Sequence, residues 1–187
     1  MGFREVFKED FEGDLEGELE RDSKGDFRGD FKQDMEGDLL SSSGQVRSRS
    51  GLVQVWFSLQ PKINSFELDS EVGRLVRSKI HILFFRESSD ESGEAAAASG
   101  LGCVYQAMGQ HSTALDYHLL DLEIGQRLGD KTAQIRASAN IGETYEALGE
   151  LEKAGSYHDQ LLNIATLIND REAKIKAFSN LGKTDVN

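Results

Sequence analysis

The chain has 187 residues, 33 acidic against 21 basic, a net charge of −12 and 38% hydrophobic residues. That acidic balance argues against a nucleic-acid or anionic-membrane surface, which needs clustered Lys and Arg, and the hydrophobic share is low for a chain packed throughout. The lone cysteine, Cys103, excludes an internal disulfide and leaves a metal cage without thiolate partners, which fits a reducing compartment.

The first 20 residues carry charge throughout and no apolar stretch of signal-peptide length, which speaks against secretion by that route. The densest apolar run, Ile80 to Phe85, has six residues interrupted by His81, against the about 20 that cross a bilayer. The expectation is a soluble, cytoplasmic protein.

Residues 1–42 form an acidic low-complexity segment. An apolar residue recurs every fourth position from Phe3 through Phe7, Phe11, Leu15 and Leu19 to Leu39, broken at Ser23, with Gly-Asp, Glu-Asp or Gly-Glu pairs between. Residues 1–40 hold 14 acids against 6 bases, so they supply −8 of the net charge. A period of four overshoots the helical 3.6, and the stripe drifts about 40° per step. The glycines each cost roughly 1 kcal/mol inside a helix, and Gly and Asp are poor strand formers. The segment therefore reads as disordered. Arg28-Gly29-Asp30 spells an integrin-recognised tripeptide, but it is one register of a repeat that also gives Lys24-Gly25-Asp26.

Residues 43–93 read as a linker region with strand-like runs. Ser41–Gly51 is rich in Ser, Gly and Arg, and Leu52–Leu59 and Lys79–Phe85 have the β-branched and aromatic content of strands. Glu67–Val76 suits a turn or two of helix, and Ser88–Gly93 reads as an acidic, phosphorylatable loop at a domain boundary.

Residues 94–187 carry the strongest signal. Overlaying 95–134 on 135–174 gives twelve identities in 40 positions, among them Gly102/Gly142, Tyr105/Tyr145, Ala114/Ala154 and His118/His158. A third copy begins at Ile175 and runs through Asn180 and Gly182. A fixed period of this size marks stacked supersecondary units. Each unit predicts two helices, the first copy spanning about Glu94 to Met108 and His111 to Leu128, with Gly109 and Gly129 as stops and Asp130 as the next N-cap. Glycines inside helices imply close approach of the paired helix. Ala114 and Ala154 are the small residues expected to face Gly102 and Gly142, with Tyr105 and Tyr145 filling the next turn.

The run Leu101-Gly102-x-x-Tyr105 followed by Ala114 resembles the tetratricopeptide repeat, in its longer-unit subclass of Pins-type adaptors, kinesin light chains and arrays of the tetratricopeptide-repeat-protein-28 type. The resemblance implies an all-α solenoid of about 2.5 helical hairpins, packed through Gly102, Tyr105, Ala114, Gly142, Tyr145, Ala154 and Gly182. It also implies a concave groove that holds an extended peptide. The corresponding positions are Ser99 and Cys103 in the first unit, Arg136, Asn140, Glu143 and Glu146 in the second, and Lys176, Asn180 and Lys183 in the third. The Arg/Lys and Asn pairs imply an acidic peptide partner, and the relatives imply a link to the cytoskeleton. A clamp for chaperone C-termini would need Lys and Asn where Ser99 and Cys103 stand.

Catalysis finds no support in these residues. His81, His111, His118 and His158 lack ligand spacing, Cys103 sits on an Ala-rich helix, and no Gly-rich phosphate loop is present. No cofactor or metal is expected. The function class is a protein-interaction scaffold, with two alternatives. One is self-association through an open end at Ile175, Phe178 and Leu181. The other is a fragment of a longer array.

Overall fold

The computed structural model describes residues 71–184. The tetrapeptide repeat of residues 1–42 and the strand-like run Leu52–Leu59 lie outside them. The described residues hold six helices and no strand, so the architecture is all-α. The chain divides into two units, Met1–Asp90 and Glu91–Asn187.

In the first unit the described element is helix α1, Glu71–Ser88. It overturns the strand-like reading of Lys79–Phe85. The β-branched and aromatic content was correctly read, but Leu75, Lys79 and Ile82 stand at i, i+4 and i+7 and all three are buried, which is helical periodicity. Local propensity yields to the pattern of burial. The Ser88–Gly93 loop also contracts. Ser89, at a φ of 56°, ends α1, and the next helix begins at Glu91.

The second unit comprises α2 (Glu91–Ala107), α3 (His111–Leu128), α4 (Lys131–Leu148), α5 (Leu151–Leu167) and α6 (Arg171–Thr184). Two short-turn hairpins and a fifth helix follow from the expected stop signals. Gly129 ends α3 with a φ of 70°, a left-handed conformation that costs glycine nothing, and Asp130 N–H returns to the Gly125 carbonyl at 2.9 Å. Asp130 then caps α4, its carboxylate accepting from Thr132 and Ala133 N–H at 2.9 and 3.0 Å. Asp170 repeats the device on Ala173. Helix α2 starts three residues earlier than its composition suggested, with Glu91 and Glu94 in the first turn, where the helix dipole favours acids.

Within the second unit each helix packs on the next, and α4 also touches both α2 and α6. The core is thin and made largely of small residues. Ala139, Leu161, Ala165, Ala173 and Ala177 form one cluster, while Leu122, Ala137 and Ile141 form another against Leu115, Leu119, Tyr145 and Tyr157. Alanine at these sites lets helix axes come close without voids.

Within each hairpin a mid-helix glycine meets a histidine of the paired helix. A Cβ built on Gly102 would sit 2.4 Å from His118 Cε1, and one on Gly142 would sit 2.3 Å from His158 Cε1. Ala114 and Ala154 are fully buried, but the imidazoles fill the notch. Both histidines are themselves fully buried. One turn on, Tyr105 stacks on Tyr117 and Tyr145 on Tyr157, with ring centroids 5.5 and 5.7 Å apart. A Cβ added at Gly182, in the same register on α6, would meet open space.

The same substitution is therefore expected to have opposite effects in different units. Gly102→Ala or Gly142→Ala should cost about 2 kcal/mol by overpacking a buried ring. Gly182→Ala should be neutral or gain up to about 1 kcal/mol in helix propensity. Urea denaturation of the three variants checks this, and equal losses at all three sites would refute the notch.

Candidate functional site

The contacts that join α2 to α4 and α4 to α6 make these helices the inner row of the stack, with α3 and α5 behind them. On α4, Arg136, Asn140 and Glu143 follow at i, i+4 and i+7, so they share one face. Lys176, Asn180 and Lys183 repeat that spacing on α6. Helical periodicity thus places all six groove candidates on two neighbouring inner helices.

Their partners divide them. Arg136 makes a two-pronged contact with Asp121 of α3, Nη2 donating to Oδ1 at 2.8 Å and Nε to Oδ2 at 3.3 Å. The Asp121 side chain is fully buried. Burial pushes its carboxyl above the ordinary carboxylate range, and the hydrogen bonds from Arg136 and Ser99 pull it back. Ser99 is consequently 7% exposed and spent on this cluster, not on an open face. Glu143 is paired with Lys176 at 3.0 Å, across the α4–α6 contact. Glu146 turns to the interior, its Oε1 2.8 Å from His158 Nε2.

The two asparagines stand differently. Asn140 Nδ2 has only the Cys103 sulfur, at 4.0 Å, as a weak acceptor. Asn180 accepts from Lys183 Nζ at 3.1 Å through Oδ1, while its Nδ2 is buried with no hydrogen-bond partner and the residue is 4% exposed. An amide donor left so costs on the order of 1–3 kcal/mol. Cys103 is exposed, and partial desolvation with Glu143 nearby pushes its thiol up, away from the reactive thiolate form.

Sequence reasoning missed Asp121. The signal was present, because its equivalent one repeat later is Leu161, and an acid at an apolar repeat position demands a partner. The whole cluster changes together between units: Ser99, Asp121 and Arg136 become Ala139, Leu161 and Lys176. Among the described residues no group of three or more His, Cys, Asp or Glu is arranged to hold a metal ion, and no helix is long and apolar enough to cross a membrane.

Residues 93–166 match the family model described as tetratricopeptide repeat, a match that takes in nearly all of α2 to α5. It supports placing this repeat region in that family, whose members generally mediate protein–protein interactions and are typically not enzymes. No curated protein matches the chain.

Removing Arg136 strands a buried carboxylate, so Arg136→Ala should cost about 3 kcal/mol. The triple variant Ser99→Ala, Asp121→Leu, Arg136→Lys copies the second unit's apolar solution and should return to within about 1 kcal/mol of the parent. Thermal and urea unfolding of both variants test this, and an unchanged Arg136→Ala would show that the pair contributes nothing.

Proposed function

We propose that this tetratricopeptide-repeat region is an adaptor that holds an extended segment of a partner protein along α2, α4 and α6, with Asn140 and Asn180 as the principal hydrogen-bonding groups. The observation that carries this reading is Asn140, partly exposed on the inner face with only a distant sulfur as acceptor, with Asn180 one repeat on as the buried support of the same register. An extended backbone offers carbonyls to such donors, and an Asn side chain can both donate and accept. An acidic segment is favoured by Lys183 on α6, whereas Arg136 and Lys176 contribute less because Asp121 and Glu143 already pair with them. The forty-residue spacing and the Asn ladder support kinship with Pins-type adaptors, and with it a cytoplasmic, cytoskeleton-linked setting.

The test uses the full chain and peptides selected on it from a displayed random library. Asn140→Ala with Asn180→Ala should weaken their binding about tenfold or more, a loss of about 1.4 kcal/mol. Lys176→Glu with Lys183→Glu should reverse the preference from acidic to basic peptides. Unchanged affinity in the asparagine pair would sink the groove assignment.

A second reading, self-association, is favoured by Ile175 and Phe178, 60% and 63% exposed on one face of α6. Light scattering over a concentration series separates the two: a chain that stays monomeric excludes self-association, and a rise in mass lost in Phe178→Ser supports it.

A further inference from the structure

The two glycine notches look alike, but they differ in what surrounds the imidazole. His158 Nε2 lies 2.8 Å from the Glu146 carboxylate. His118 has no hydrogen-bond partner at either ring nitrogen. Gln106 stands where Glu146 stands one repeat later, a neutral amide in place of a carboxylate, and it makes no hydrogen bond to the ring. Two charged groups act on His118 from α4 and both are engaged, Glu143 by Lys176 and Arg136 by Asp121, while Asp121 itself, one turn along α3 from His118, is held by Arg136. Helix α2, against which the ring is pressed, has no charged residue beyond Glu91 and Glu94 in its first turn. In the second hairpin, the α6 positions equivalent to Arg136 and Glu143 are Lys176 and Lys183.

We infer that the first hairpin carries an acid-sensitive latch that the second lacks: a proton taken up by His118 has no acceptor in the notch, so α2 separates from α3 on acidification while α4 and α5 stay paired through His158 and Glu146. The ring is the knob that fills the contact at Gly102, so expelling it to water removes that contact between the two helices. In the second hairpin the ring nitrogen Nε2 is already held by the Glu146 carboxylate, so the contact keeps its hydrogen bond. The latch is independent of what the groove binds.

The pH window follows from the direction of the shift. Burial lowers His118 from 6.5 to about 4, and Arg136 adds to this while Glu143 opposes it. A group depressed in the folded state contributes stability that is complete above the unfolded value and is lost as pH falls from 6.5 toward 4. Between pH 7 and pH 5 the opened form should gain about twentyfold on the closed one.

Hydrogen exchange on the full chain, read peptide by peptide and corrected for its intrinsic pH dependence, tests this. The expected result is a loss of protection in α2 and α3 about tenfold or more larger than in α4 and α5 on going from pH 7 to pH 5. Gln106→Glu should supply the missing acceptor and abolish that difference, and His118→Gln should remove the pH dependence. Parallel loss in both hairpins, or a difference that persists in Gln106→Glu, would overturn the proposal.

Discussion

The stack depends on one close contact, the seating of an imidazole ring against a helix surface that has no side chain. Each hairpin places a glycine in the middle of its first helix, where glycine weakens the helix by roughly 1 kcal/mol. The return is an approach that no Cβ would permit, with a fully buried His118 or His158 filling the space. The alanines that line both core clusters extend this close spacing to the contacts between hairpins. The tyrosine stacks then close the end nearest the turn.

This geometry governs the inner face as well. With α4 in contact with both α2 and α6, side chains in the same register on successive helices become neighbours across the row, which is why Lys176 reaches Glu143 and Asn140 approaches Cys103. The charges of the face are therefore largely spent on each other. Arg136 serves a buried carboxylate, Glu143 serves Lys176, and Glu146 serves a histidine behind the face. The amides remain, and Asn180 is held with an unsatisfied donor among otherwise paired neighbours. Recognition through amides suits a partner read by its backbone more than by its charge.

The two junctions between neighbouring hairpins solve the same packing problem by different chemistry. Behind Arg136 the stack buries a carboxylate held by a half-exposed arginine and a serine, whereas behind Lys176 it buries a leucine against alanines. A buried carboxylate paired in this way adds little net stability over an apolar contact, but it penalises any arrangement that leaves the carboxylate alone. It thus restricts the register in which α3 can meet α4. The histidine notches differ in the same way, one with a carboxylate neighbour and one with none.

The forty-residue recurrence of glycine, tyrosine, alanine and histidine was enough to determine the hairpins and their stops, because turn chemistry and helical spacing are local properties. Asp130 as an N-cap and the exposed Ile175 and Phe178 were legible for the same reason. Three things were decided only by tertiary packing. Lys79–Phe85 became helical because burial at helical spacing outweighed its strand-like content. His118, not Ala114, met Gly102, because which residue on a helix faces a neighbour depends on the rotation of that helix about its axis. Arg136 was claimed by Asp121, because an acid at an apolar repeat position signals that it needs a partner but only packing decides which one.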